Sequence, residues 1–397
     1  MIDLKELEER VILAAVSTSE TDMAERSLDE LKELADTAGA KTVGRVIQNR
    51  ESVHPGTYLG KGKLQELREM LYETGATGVI CDDELSPAQL KNLEDILDTK
   101  VMDRTMVILD IFAARANTRE GKIQVELAQL KYRAIRLVGM RSSLSRLGGG
   151  IGTRGPGEKK LETDRRLIRT RISALKAELA QVEKHRELIR GKRTRGNLKT
   201  AAIVGYTNAG KSTLLNRLTG AGILAEDKLF ATLDPTTRLL TLDDGQQLLL
   251  TDTVGFIRKL PHHLVEAFKA TLEELAYADL ILHVIDASNP EWREQAEVVE
   301  ALIRQLGAEA TPRLEVFNKS DIYVGEIRPH GEDIVSISAK TGEGLDQLLA
   351  MIGKRLDTGF YRVTLSVPYD KGGVVDMLYR EAKVEDVVYQ ESIDVTA

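Results

Sequence analysis

Apolar positions in the first 118 residues switch repeatedly between short solid runs and helical spacing. Val11-Ile12-Leu13-Ala14-Ala15-Val16 is uninterrupted, as in a strand buried on both faces. Leu28, Leu31, Leu34 and Ala35 then fall on one helical face, and Thr42 to Ile47 returns to a strand pattern. Leu64, Leu67, Met70 and Leu71 mark a second helix, followed by the strand Gly78-Val79-Ile80-Cys81. Ser86-Pro87 opens a helix that runs to Leu97, with Ser as N-cap and Pro at the first helical position. Val101-Met102 begins a last short strand. This alternation predicts a small α/β domain with a parallel sheet over residues 1–118. Its loop Pro55-Gly56-Thr57-Tyr58-Leu59-Gly60-Lys61-Gly62-Lys63 is Gly- and Lys-rich. It reads equally as a phosphate contact or as a plain loop ending at a helix start.

From 119 to 195 the period becomes heptad-like. Ile123, Leu127, Leu130, Ala134 and Leu137 form one seam, and Ile168, Ile172, Leu175, Leu179, Val182 and Ile189 another. Between them Leu147-Gly148-Gly149-Gly150-Ile151-Gly152-Thr153-Arg154-Gly155-Pro156-Gly157-Glu158 cannot be helical. The pattern predicts a long antiparallel hairpin with a glycine tip, its second helix about 45 Å long. The tip contains a formal G-x-G-x-x-G, but no strand precedes it, so a dinucleotide site is excluded.

Residues 196–357 read as regular α/β. An apolar run, Ala201 to Val204, leads into Gly205-Tyr206-Thr207-Asn208-Ala209-Gly210-Lys211-Ser212 and then an opening helix. That is the setting of a phosphate-binding loop: Lys211 would reach the terminal phosphates and the Ser212 hydroxyl would hold magnesium. Leu248 to Thr251 is a strand ending in Asp252-Thr253-Val254-Gly255, which fits a γ-phosphate sensor. In it Asp252 would act on the metal through water, and the Gly255 N–H would meet the phosphate. Asn318-Lys319-Ser320-Asp321 follows another strand. The Asp321 carboxylate can accept two hydrogen bonds from guanine, which adenine cannot supply. Ser338-Ala339-Lys340 would close the far side of the base. Between loop and sensor lies Phe230-Ala231-Thr232-Leu233-Asp234-Pro235-Thr236-Thr237-Arg238, where a threonine should bind magnesium; Thr232, Thr236 and Thr237 are all candidates. Position 256 is Phe, which cannot orient water, so slow intrinsic hydrolysis completed by a partner is expected. Asn208 could help hold potassium, or merely brace the loop. His262 and His263 read as a solvated helix start. Residues 358–397 predict a short strand–helix–strand appendix whose final strand is cut off by the chain end.

Charge changes the picture in one place. The net charge is −7, yet residues 131–200 carry 20 Lys and Arg against 6 Asp and Glu, an excess of +14 inside a remainder of −21. Such a block suggests a polyanionic partner at the hairpin. Arg141, Arg146, Arg154, Lys159 and Lys160 flank the pliable Gly149-Gly150 tip and could mould onto folded RNA. The single cysteine, Cys81, excludes an intrachain disulfide and reads as a small buried strand residue. No apolar window is long enough to span a membrane.

The motifs Tyr58-Leu59-Gly60-Lys61-Gly62-Lys63, the tip Gly148 to Glu158, Phe230 to Pro235, and Asp252-Thr253-Val254-Gly255-Phe256 together resemble the HflX family of translation-related GTPases. The resemblance spans nearly the whole chain. It implies an α/β protein: a P-loop GTPase domain preceded by a small parallel α/β domain and a helical hairpin, with a short α+β appendix. It also implies binding to the large ribosomal subunit and its rRNA, with the tip near the peptidyl-transferase centre, and GTP-dependent splitting or rescue of stalled ribosomes under stress. Within it Thr232 is the magnesium ligand, beside Lys211 and Gly255 as catalytic groups. The expected cofactors are Mg2+ and, through Asn208, K+. The expected protein is a cytoplasmic monomer, with peripheral membrane association as a variant. The ATP-linked activity described for some members has no clear site in the N-terminal domain here. A GTP-gated scaffold of another protein complex and a large-subunit assembly factor remain the alternatives.

Overall fold

A computed structural model shows two sheets built by strand–helix alternation, one all parallel and one mixed, together with a long helical arm and a small C-terminal sheet. The described residues are all except 1–7, 19–20, 145–155, 196–197, 221–228, 231–232, 243–244, 262–263, 265–274, 326–328, 357–362, 383 and 391. The Ala231–Thr232 pair, the arm tip with Arg146, Gly149, Gly150 and Arg154, and His262 and His263 therefore lie outside them; so do the side chains of Arg141, Lys159 and Lys160.

The N-terminal sheet is formed by β1 (Glu9–Ser17), β2 (Ala40–Asn49), β3 (Gly78–Cys81) and β4 (Lys100–Asp103), all parallel, in the order β2-β1-β3-β4. Helices α1 (Thr21–Thr37), α2 (Lys61–Thr74) and α3 (Pro87–Leu97) connect the strands. A capping box between Ser86 and Gln89 starts α3. A further helix, α4 (Arg104–Arg115), follows β4 at once, its start capped by the Asp103 side chain. Cys81 is fully buried on β3.

The arm consists of α5 (Arg119–Leu144) and α6 (Pro156–Arg195), running antiparallel. Ile123 and Leu127 meet Leu175, flanked by Leu130, Ile172 and Leu179. Ion pairs Glu126–Arg171 and Glu120–Arg186 fix the register. Forty residues make α6 about 60 Å long rather than 45. Its first turns carry almost no apolar seam, so periodicity alone underestimates it. Near the middle of α5 the arm is bolted to the N-terminal domain at Asp103. This carboxylate is fully buried and accepts from the Tyr132 hydroxyl at 2.6 Å and from Arg136 at 2.8 Å.

The second sheet has the order β10-β9-β8-β5-β7-β6. Its strands are β5 (Lys199–Gly205), β6 (Thr236–Thr241), β7 (Gln247–Asp252), β8 (Leu280–Asp286), β9 (Arg313–Asn318) and β10 (Ile334–Ser336); only β6 is antiparallel to its neighbour. Helices α7 (Lys211–Thr219), α8 (Trp292–Gln305) and α9 (Leu345–Leu356) cover it. One face packs on α7 and α9 through Leu214, Leu215, Leu348 and Ile352. The other merges with the N-terminal domain in one continuous core, where Phe112, Val125 and Tyr132 join Tyr206, Phe230, Phe256 and Ile257.

The C-terminal part comprises β11 (Thr364–Val367), α10 (Gly372–Glu381), β12 (Asp386–Tyr389) and β13 (Ile393–Thr396). Its sheet is antiparallel with β13 in the middle. The expected strand–helix–strand order is thus corrected: two strands follow the helix rather than one, and the last of them is central. Each is only four residues long, too short for alternation to stand out.

Candidate functional site

The phosphate loop leaves the C-terminal end of β5 and enters α7. Gly210 sits at φ +94°, and a side chain there would strike the Asn318 amide. The glycine thus lets the loop and the base-reading segment touch. Asn318 holds both: its Nδ2 donates to the Ala209 carbonyl at 2.9 Å, and its Oδ1 accepts from the Ala339 N–H at 2.9 Å. One buried amide thereby joins Gly205–Ser212, Asn318–Asp321 and Ser338–Lys340. Lys319 lies at φ +62° with its ammonium 2.7 Å from Asp286. Asp321 and Lys340 stand exposed, while Ser320, Ser338 and Ala339 are buried.

The sensor turn closes on the loop from the other side. The Thr207 N–H donates to the Phe256 carbonyl at 2.7 Å, and the Phe256 N–H to the Gly205 carbonyl. A side chain at Gly255 would come 2.8 Å from the Thr207 backbone, so only glycine permits this approach. Thr253 is fully buried and donates to the Ile203 carbonyl; Val254 packs in the shared core. The Phe256 ring is buried as well, packed in the core shared with the N-terminal domain.

Lys211 is buried, and its Nζ donates to the Tyr206 carbonyl at 2.8 Å. Burial pushes its ammonium down to about 8, against the opposing pull of Asp252. The Ser212 hydroxyl donates to Asp252 Oδ2 at 2.7 Å. A desolvated ammonium short of negative charge suits a polyphosphate. A hydroxyl beside a buried carboxylate suits magnesium, a hard cation that takes oxygen donors. The residues therefore fit both groups.

Leu229, Phe230, Leu233 and Asp234 are the described flanks of the intervening segment. The Phe230 N–H donates to Thr207 Oγ1 at 2.9 Å, and its ring meets Phe112 edge-on, centroids 4.8 Å apart. Asp234 turns its carboxylate to the start of α5. Thr236 and Thr237 belong to β6, and Thr237 bonds Thr251 across the sheet. Asn208 lies at φ +61° beside a cleft of about 320 Å³ lined by α1, the phosphate loop and the start of α8.

A buried ionic network links this site to the N-terminal domain. The Arg104 guanidinium is 1% exposed and donates to Asp82 at 2.6 Å, Glu30 at 3.1 Å, Ser27, and the Arg258 carbonyl. The Lys259 ammonium reaches Asp82 and Asp83. Tyr206 of the phosphate loop donates to Glu30 at 2.9 Å, and its hydroxyl accepts from the Arg258 N–H. Burial raises the Glu30 carboxyl despite Arg104. At Asp82, burial also pushes upward, but Arg104 and Lys259 together outweigh it and hold the carboxyl low. None of this network is visible in the sequence: its bonded partners lie up to 177 positions apart and resemble surface charges.

The loop Pro55 to Lys63 is closed by its own bonds. His54 Nδ1 accepts from Gly56 and Thr57, and the buried Tyr58 hydroxyl donates to Asp83. Among the described residues no group of three or more His, Cys, Asp and Glu is placed to hold a metal, and no helix is long and apolar enough to cross a membrane.

Four family models match the chain. They are a GTP-binding GTPase N-terminal region over 25–113, a GTP-binding GTPase middle region over 115–193, a 50S ribosome-binding GTPase over 200–319, and an HflX C-terminal domain over 326–396. The GTPase HflX of Lacrimispora saccharolytica is 62% identical over 396 residues, covering 98% of this chain and 93% of that protein. That of Escherichia coli K12 is 44% identical, covering 95% and 90%. A solved GTP-binding protein from the archaeon Sulfolobus solfataricus, in complex with GDP, is 25% identical over 88% of this chain and 100% of that one, with a TM-score of 0.46.

Proposed function

Because the chain belongs to the HflX family of GTPases and hydrolyses GTP, we propose that it is a GTP-switched factor of the large ribosomal subunit, acting in the cytoplasm to split or rescue ribosomes under stress. The observation that carries this reading is the arm. The chain's excess of +14 is concentrated on one projecting hairpin whose longer helix spans about 60 Å. A solvated coiled coil would balance its signs; this one is suited to polyanionic RNA. Arg141, Arg146, Arg154, Lys159, Lys160 and the glycines at 149–150 are its proposed contacts.

At the nucleotide, the backbone amides of Gly205–Ser212 cradle the phosphates, and Lys211 neutralises the charge that grows on them. Asp321 selects guanine, Lys319 and Lys340 flank its plane, and Asn318 keeps the three segments in register. The Gly255 amide donates to the γ-phosphate and so couples the sensor turn to GTP. Ser212 and Thr232 would hold magnesium, with Asp252 behind them; the ion would screen charge between the β- and γ-phosphates. Potassium beside Asn208 would add a second positive charge. No side chain at 256 reaches the attacking water, so a ribosomal group is proposed to orient it.

Co-sedimentation with ribosomal subunits tests this. The protein should pellet with the large subunit in a GTP analogue and not with GDP. Affinity should fall by about a thousandfold between about 50 and about 200 mM salt, and charge reversal at Arg141, Arg146 and Arg154 should abolish binding. A shallow salt response would favour a protein partner and the scaffold reading. Absence of nucleotide-dependent pelleting would overturn the ribosomal one.

A further inference from the structure

The switch segment and the arm share one carboxylate. Asp234 Oδ2 accepts from the Asn117 N–H at 2.8 Å and from the Thr118 N–H at 2.9 Å, and Oδ1 accepts from the Thr118 hydroxyl. Thr118 is itself the cap of α5: its carbonyl accepts from Lys122 N–H and its hydroxyl from Gly121 N–H. An anion here also meets the positive end of a 26-residue helix. A methyl group added at Gly121 would run into Asp234 Oδ1. The absence of a side chain at 121 is therefore what admits the carboxylate. On the other flank of the segment, Phe230 is pinned to Thr207 and Phe112.

We infer that Asp234 is a positioning residue for GTP hydrolysis: by gripping the start of α5 it holds the switch segment in the register that hydrolysis requires, and so ties the arm to the nucleotide. This rests on reading 230–238 as the magnesium-binding segment. Asp234 need not touch the nucleotide; it acts through the residues before it. The grip is three hydrogen bonds to one carboxylate, a strong set for a surface-facing segment.

The test uses the full chain without ribosomes, so failure of the ribosomal reading leaves it intact. Single-turnover GTP hydrolysis and GDP affinity are measured for Asp234→Ala, Gly121→Ala and the double variant. Gly121→Ala lies in the arm and makes α5 a better helix, yet it expels the carboxylate. Both single variants, each of which loses all three hydrogen bonds, should hydrolyse GTP about tenfold more slowly, a fraction of what the whole grip is worth reaching the reaction. GDP affinity should stay as in wild type, since GDP does not use the switch segment. The double variant should be no slower than either single one. Thr118→Val, which removes one donor of three, should slow hydrolysis about threefold with GDP affinity again unchanged. Wild-type hydrolysis by Gly121→Ala would overturn the inference, because the carboxylate would then be acting at the nucleotide or not at all. Losses that multiply in the double variant would overturn it too. If Gly121→Ala loses fold, an unaltered rate in Thr118→Val has the same consequence.

Discussion

GDP binding is expected to take up a proton at alkaline pH and almost none near neutrality. The perturbation is the burial of Lys211, which lowers its ammonium from 10.5 to about 8. At 1.36 kcal/mol per pKa unit, burial disfavours the charged form by about 3 kcal/mol. A diphosphate bound beside Nζ supplies the missing negative charge and restores the proton. In the free protein about a tenth of Lys211 is neutral at pH 7, about half at pH 8 and about nine-tenths at pH 9. Proton uptake should follow the same fractions, and GDP affinity should weaken by up to about tenfold per pH unit above 8. At pH 8 and above the nucleotide's terminal phosphate, with a second pKa of about 6, is fully ionised and contributes nothing. The sign for stability is opposite in the free protein. Between 8 and 10.5 the unfolded chain keeps the proton and the folded one does not, so this residue's contribution to stability rises with pH. Isothermal titration calorimetry in buffers of different ionisation enthalpy counts the protons directly. Equal uptake at pH 7 and pH 9, or none at pH 9, would refute the reasoning.

Phe256→Gln should not accelerate hydrolysis, although it restores the residue type that orients water in many GTPases. The ring lies in the shared core, so a buried amide there should cost about 2–4 kcal/mol by denaturation, with a basal rate no higher than wild type; a faster rate would place the side chain at the nucleotide. Arg104→Met should lower stability by about 3–5 kcal/mol, because Glu30 and Asp82 are left buried without their shared cation. Proteolysis should then cut more readily near Arg258 and Lys259, and unchanged unfolding and cleavage would show that the network contributes little.

The candidate nucleotide site could be read from the sequence because its parts are local. Gly205–Ser212, Asp252–Gly255 and Asn318–Asp321 each span four to eight residues after an apolar strand, and backbone geometry dictates their order. Helix α4 was not legible. It begins directly after β4, and its near-continuous apolar stretch Met106 to Phe112, broken only by Asp110, shows no helical period. The contacts that join the two sheets were hidden for another reason. Arg104, Lys259 and Asp234 are charged residues in polar surroundings of sequence, and only folding reveals partners 74, 177 and 116 positions away. Phe256 was half legible: its chemistry excluded it from orienting water, but only the packing says that its ring belongs to the core.

The anchorage of the arm has a mechanical consequence. Tyr132 and Arg136 clamp α5 to Asp103 near its middle, and Asp234 touches its beginning. The two fixings lie roughly 20 Å apart along the axis at 1.5 Å per residue. Helix α5, 26 residues and about 40 Å long, is held in this way as a lever pivoted near its middle, with limbs of comparable length. Displacing the inner end by about 1 Å, the scale of a side-chain rearrangement, swings the far end of α5 through slightly less than that in the opposite sense. Force applied at the far end would return to the inner end nearly undiminished. The same rod can thus carry news of the nucleotide outward and of a docked surface inward.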